Sequence, residues 1–294
     1  RRDIVEKYAH GTPNDWIEKN IYQPFKYWGL WLMLGVDWLL FGCAGTLIWA
    51  VQMIWIPFHA AGVINGIGHF LGYRNFECPD GSTNIVPWAF WIGGEELHNN
   101  HHAFPDSAKL SVKWYEFDLG YFYIQCLSAC GLAKVRRLPP EINQKKLALC
   151  RTEIERWKIL VANRLRIMER LTQEVVIPMV KKQAASVQFK LAGFSSIKQL
   201  VKTMIRHSAR LTEREKGLLE LQFQHGEKLR AVYNLYKKLE TICHQRRAGQ
   251  KEMFGALKKW CEEASSTEIP GAKKFTEWLE SHFLTASDQS AVSI

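Results

Sequence analysis

Residues Tyr27–Ile67 read YWGLWLMLGVDWLLFGCAGTLIWAVQMIWIPFHAAGVINGI, a run with one acid, Asp37, and no Lys or Arg. A membrane-spanning helix needs about 20 apolar residues, so the run is long enough for two. Gly42 and Gly45 stand near its middle and offer a turn. The expected parse is therefore a membrane hairpin of about Tyr27–Phe41 and Ala44–Phe70, the first arm short and tilted or partly interfacial. A hairpin returns the chain to the side it left. Lys26, Arg74, Lys109, Lys113, Lys134, Arg136 and Arg137 flank the apolar stretches on that side, which the positive-inside rule makes cytoplasmic. A buried soluble hairpin is the alternative, and so dry a run disfavours it. Ile85–Gly93 and Leu119–Ala133 are apolar but short and rich in Trp or Tyr, which places them at the membrane surface.

Outward from this run the composition is uneven. The 294 residues carry a formal net charge of +10, but residues 1–140 hold 11 Lys and Arg against 12 Asp and Glu, whereas residues 141–294 hold 28 against 17. Nine of the 12 Trp fall in the first part. The expected organisation is all-α: a membrane-embedded part, residues 1–140, joined to a soluble, basic, helical part, residues 141–294. This texture excludes a disordered chain, and no short-period repeat is visible. Seven Cys without a C-x-x-C pair read as reduced thiols. The chain opens on Arg1 with no signal-peptide pattern, and is expected to be a fragment.

The chemistry gathers in histidines. Asn65-Gly-Ile-Gly-His69 closes the second apolar segment, and Gly93-Gly-Glu-Glu-Leu-His98-Asn-Asn-His101-His102 follows. On a helix His98, His101 and His102 stand at i, i+3 and i+4, so at least two share a face, and Asn65 is one turn from His69. Imidazole suits Fe, Zn, Cu and Ni, and such a cluster where a membrane helix emerges is costly unless something binds there. The bland readings are a His-rich surface turn for the triplet and a helix-end residue for His69. Glu95 and Glu96 read either as partners that orient His N–H groups or as a cap. His59 is read as a polar helix residue, and His10, His207, His225, His244 and His282 as solvated.

At these residues the sequence resembles the membrane fatty acyl-CoA desaturases, specifically bacterial stearoyl-CoA-type Δ9 members, from about Tyr8 to Pro140. The resemblance rests on NGIGHFLGYRNF, on GGEELHNNHHAFP, which is similar to the family's third histidine box, and on SAKLSVKWYEFDLGYFYIQCLSACGLA. H-N-x-H-H-x-F-P followed by K-W-x-x-x-D looks more like an acyl-CoA desaturase than like the hydroxylases or ketolases that share a bare H-x-x-H-H. The resemblance implies a four-helix membrane bundle and a diiron centre, with His69, His98, His101 and His102 as ligands and Asn65 reaching iron through a water. It implies no catalytic residue separate from the ligands. It also implies O2 as co-substrate, a saturated acyl-CoA whose C9 and C10 each lose a hydrogen, electrons from NAD(P)H through a separate ferredoxin-like donor and reductase, and a bacterial cytoplasmic membrane with the His site and the C-terminal part on the cytoplasmic side. The family's first two boxes have no counterpart in residues 1–26, where His10 stands single. The expectation is that this chain alone neither holds two irons nor desaturates.

Past Leu138-Pro-Pro140 the expected helices are Glu141–Ile177, ended by Pro178, then Ser195–His207, a helix from the Thr212-Glu-Arg-Glu215 capping box to about Arg247, then Glu252–Ala264 and Gly271–Phe283, with frayed residues from Thr285. The bacterial desaturases that this chain resembles carry similar helical tails. The basic faces read as solvated and near anionic lipid, or as a docking face for the electron donor; charges interleaved with Glu make nucleic acid an unlikely partner. Two further readings stand beside the desaturase: a membrane diiron hydroxylase or ketolase, and a non-catalytic membrane-anchored interaction protein.

Overall fold

The computed structural model describes residues 15–143, 147, 149–150, 152–186, 189–224, 226–244 and 250–284. His10, His225 and the stretch from Thr285 lie outside the described residues. The chain is mostly helical, 65% helix and 2% strand. It divides into two compact units between Val63 and Ile64.

In the first unit, helix α1 (Trp28–Phe41) and helix α2 (Cys43–Pro57) meet at Gly42, whose φ of 60° is the left-handed region that favours glycine. Close packing of the two depends on a second glycine: a Cβ on Gly45 would lie 2.0 Å from the Asp37 carbonyl oxygen. Farther along, the Trp49 indole N–H donates to the Leu30 carbonyl at 3.0 Å and its ring stacks on Trp31. Small residues at the contact and aromatics beyond it are how apolar helices pack without water to drive them together. Outside this contact the pair exposes large apolar side chains, Leu32, Leu39, Leu40 and Leu47 among them. Pro57 lacks an N–H and displaces the helical ladder, and the chain widens into a π-helical segment, Phe58–Ile64. The span Cys43–His69 is long and apolar enough to cross a membrane by length and composition, whereas Trp28–Phe41 falls short of that length.

The second unit begins with a platform of loops and short elements. Strand β1 (Trp88–Ala89), inside the Ile85–Gly93 stretch read from sequence as a surface segment, pairs in parallel with strand β2 (Phe117–Asp118), a two-residue ladder just before Leu119–Ala133. Helix α3 (His98–Ala103) follows a 3-10 turn, Glu95–Leu97. Helix α4 (Leu119–Ala129) starts where the Asp118 carboxylate accepts the Tyr121 N–H at 2.9 Å, and it buries none of its residues.

Among the described residues, the rest of this unit packs eight helices on one apolar core: α5 (Glu153–Ala162), α6 (Arg164–Leu171), α7 (Ile177–Ala184), α8 (Ile197–Ile205), α9 (Glu213–Gln224), α10 (Glu227–His244), α11 (Gln250–Ser265) and α12 (Ala272–Leu279). Trp260, Phe275, Phe283, Leu239 and Leu257 are almost completely buried there. Three expectations need correction. The first helix starts at a capping box, Thr152 with Glu155, and not at Glu141, because Glu141–Asn143 is not helical. It also does not end at Pro178. A π turn, Thr172–Val176, places that proline in the first turn of α7, where a missing N–H leaves no bond unmade. The helix expected from Thr212 to Arg247 is interrupted at Gly226, whose N–H donates to the Phe223 carbonyl.

The compositional boundary after Pro140 and the packing boundary at Val63 differ. Texture changes at the first, but Phe76, Cys78, Ala103 and Phe104 of the platform share an apolar cluster with Leu165 of α6. Lys113–Glu169 at 2.6 Å and Arg210–Glu77 at 3.6 Å span the same junction.

Candidate metal centre

The histidines are placed by short elements that could not hold their shape alone. His69 ends a three-residue 3-10 turn, Ile67–His69, and His98 opens the six-residue α3. A helix this short has no stability of its own, so its orientation must come from side chains around it.

His69 Nε2 and His98 Nε2 lie 3.0 Å apart. His102 completes the group, with one nitrogen from each of the three rings within 4.8 Å of the others. The pairing follows the helix: His98 and His102 are one turn apart on one face, their rings 4.4 Å between centroids. His101 lies beside this group, 5.7 Å from His102 and 6.2 Å from His98 by ring centroids, and is not one of the three. Asn65 is exposed in the turn that follows the apolar helix. His59, one of the residues given no role, has its Nδ1 at 2.8 Å from the Trp55 carbonyl oxygen.

One of the three rings has a carboxylate bonded behind it, and a second has one farther off. Asp80 Oδ2 is 2.9 Å from His102 Nδ1, which fixes that nitrogen as the N–H donor and leaves Nε2 with its lone pair free. Burial of Asp80 acts to raise its pKa, but hydrogen bonds from Ser82 and His102 outweigh it and hold the carboxyl at about 2. Glu95 Oε2 lies 3.9 Å from His98 Nδ1, too long for a hydrogen bond, yet the imidazole holds that carboxyl below its ordinary range. Glu96 does something else: its Oε1 accepts the N–H groups of Trp91 and Ile92 at 2.6 and 3.1 Å, bracing the loop before the box.

A metal fits this arrangement. His98 is 4% exposed and its Nδ1 has no hydrogen-bond partner. Its Nε2 and that of His69 face each other, where a proton on one nitrogen or a shared cation must sit between two lone pairs. Three imidazole nitrogens with a carboxylate behind one is a donor set for Fe, Zn, Cu or Ni. The loop approaches closely as well: a Cβ at Gly81 would stand 3.2 Å from the His69 carbonyl oxygen.

About half of the chain is similar to fatty acid desaturases. It is 31% identical over 153 residues to the Delta-9 desaturase-like 5 protein of Arabidopsis thaliana, covering 49% of this chain and 50% of that protein. It is 33% identical over 123 residues to the sn-1 stearoyl-lipid 9-desaturase of Anabaena variabilis, 40% of this chain and 45% of the relative. To the icosanoyl-CoA 5-desaturase of Limnanthes douglasii it is 41% identical over 90 residues, 31% and 25% of the two chains. The chain thus spans half or less of the length of these relatives. A transposase family model matches residues 162–286, within the basic helical region. No solved structure matches.

Sequence reading missed the residues that hold the histidines in place. Asn99 accepts the N–H groups of Asn75 and Phe76, both at 2.9 Å, and donates to the carbonyls of Phe76 and Ser82 at 3.0 and 3.3 Å. It thus ties α3 to the loop that carries Asp80. Pro79-Asp-Gly81 is a turn signal, and the two Asn inside the box are polar residues in a helix with no exposed side to suit them; both were visible signals.

Proposed function

We propose that this chain carries part of the catalytic centre of an oxygen-dependent fatty acyl desaturase. His69, His98, His101 and His102 serve as iron ligands, and Asn65 reaches iron through a water. The observation that supports this most directly is the convergence of His69, His98 and His102 in a stretch similar to desaturases. The reading extends to a pair of irons, to a saturated acyl-CoA substrate and to a cis double bond at C9. Electrons come from NAD(P)H through a ferredoxin-like donor. The membrane is the bacterial cytoplasmic membrane, crossed by the apolar hairpin, with the histidines on the cytoplasmic side.

Bound iron would activate O2 and take one hydrogen from each of two neighbouring carbons, with release of water. This chain's own residues do the positional work. Asp80 keeps the proton of His102 on Nδ1, so Nε2 would be free to bind a metal. Asn99 fixes the loop that brings Asp80 to that nitrogen. Glu96 holds the loop ahead of the box, so that His98 enters the centre from a buried position. The relatives are named for lipid-linked and CoA-linked chains and for positions 9 and 5, and product analysis decides among these.

The test is iron content of the purified chain beside His98→Ala, together with mass spectrometry of acyl chains after incubation with O2 and a reduced donor. Iron that depends on His98, at less than two per chain and with no double bond formed by this chain alone, is the expected result. A product with added oxygen would move the reading to a hydroxylase. Iron no higher than in His98→Ala sinks it.

A second reading concerns residues 162–286 alone. Their match to a transposase model and the cation surplus of that half favour contact with nucleic acid. Binding of duplex DNA whose log K falls linearly with log salt supports this reading, and no binding at low salt removes it.

A further inference from the structure

We infer that Glu116 is a positioning residue of the histidine centre, a shared acceptor on which the box helix and the loops around it are aligned. This rests on the reading of that centre as a metal site. Glu116 is 9% exposed. Its Oε1 accepts from the Tyr73 hydroxyl at 2.8 Å, from Asn75 Nδ2 at 2.6 Å and from Asn84 Nδ2 at 3.4 Å. Its Oε2 accepts from Asn100 Nδ2 at 2.8 Å and from the backbone N–H groups of Val112 and Lys113 at 2.7 and 2.9 Å. Lys113, close by in the chain, turns its ammonium to Glu169 instead.

These donors come from three places: the loop that runs to Asp80, the box helix itself, and the turn before Glu116. Asn100 lies between His98 and His101. Its N–H donates to Asn84 Oδ1 at 3.1 Å, and its Oδ1 accepts from Asn75 Nδ2 and Asn84 Nδ2. Every polar atom of the Asn100 side chain is thereby used, so the rotation of α3 about its axis is fixed. A short helix takes its direction from such bonds, and that direction decides whether His98 and His102 meet His69.

Only a carboxylate can fill this position. A glutamine has one oxygen and one NH2, and in either orientation the NH2 would face three donors. Leaving buried donors unpaired is costly, so the loops must shift. Aspartate keeps both oxygens on a shorter stem, and so should keep part of the network.

The test uses the whole chain in detergent, with Co(II) as the probe. Glu116→Gln should weaken Co(II) binding by about 10–100-fold and change its visible absorption band, the size expected when a residue behind the ligands is lost. Amide exchange across residues 98–103 should rise in the metal-free protein. Glu116→Asp should recover part of both. Tyr73→Phe, which removes one donor and leaves five, should cost about three-fold in affinity. A control in the helical core, Val180→Ala, should lower stability and leave the Co(II) band as it was. Wild-type affinity, band and exchange in Glu116→Gln overturn the inference. If the wild-type chain takes up no Co(II), the metal reading fails; exchange at 98–103 then still decides, and no change in Glu116→Gln would refute the positioning role.

Discussion

The platform of residues 64–140 and the helical core of residues 152–284 belong to one packed unit, yet different forces hold them. The core buries large apolar side chains from eight helices, Trp260, Phe275 and Leu239 among them. The platform has only two small apolar clusters, one of Ala89, Leu97 and Leu110 and one of Phe76, Cys78, Ala103 and Phe104 with Leu165. Its order comes from buried amides and carboxylates: Asn84, Asn99, Asn100 and Glu116 are each 9% exposed or less. Burial is non-directional and tolerates small shifts, whereas a hydrogen bond fixes distance and angle. A region that must bring three imidazoles together needs the second kind of order.

The contrast can be broken from either side. The largest effect should come from the core: Trp260→Ala removes a ring that is 1% exposed and an indole N–H that donates to the Leu235 carbonyl. The expected loss is about 3–5 kcal/mol, read as a lower urea midpoint for the helical signal. If the platform were as dependent on that core as on its own bonds, Co(II) affinity would fall in parallel at temperatures where the variant remains folded.

Next in size is Asn99→Ala. Two carbonyls and two N–H groups lose their partner, and the expected cost is about 2–3 kcal/mol, with faster proteolysis between residues 70 and 85. Unchanged cleavage there would show that apolar contacts alone hold the platform.

Asp80→Asn tests the link from loop to metal. The new amide would donate to His102 Nδ1, reverse the tautomer and put the proton on Nε2. Metal affinity should fall by about 10–100-fold while the urea midpoint of the core stays put. An affinity equal to wild type would mean that His102 is not held through Asp80.

The smallest effect belongs to the helix start at Thr212. Thr212 Oγ1 accepts the Glu215 N–H at 3.3 Å and Glu215 accepts the Thr212 N–H at 3.1 Å, so Thr212→Ala should cost about 1 kcal/mol. Burial acts to raise the Glu215 pKa, but the Thr212 backbone bond and Arg206 overcome it and hold the carboxyl below its ordinary value. A depressed folded pKa stabilises above the unfolded value near 4.5 and is lost as pH falls below it. Glu215→Gln should therefore lower stability at pH 7, where the contribution is fully present, leave it little changed at acid pH where the carboxyl is protonated, and so flatten the acid side of the stability curve. A wild-type acid limb in this variant would place the pH dependence elsewhere.

Much of this was readable from residues alone. The Thr212 capping box, the helix expected over Ser195–His207 and the apolar periodicity of the core helices are local signals, and local chemistry set those elements. The Tyr27–Ile67 run and its glycines forecast two apolar helices that meet near Gly42, because hydrophobicity and backbone freedom belong to single residues. The histidine motifs forecast donors but not their partners. Which ring joins His69 depends on the rotation of a six-residue helix, and that rotation is set by Asn99, Asn100 and Glu116 from across the fold. The same holds for Pro178, which local rules make a helix end and which a π turn turns into a helix start. Sequence alone determined the apolar hairpin pattern, the helical texture and the supply of imidazoles. Only the tertiary structure decided that His69, His98 and His102 converge, because convergence rests on hydrogen bonds between residues far apart in the chain.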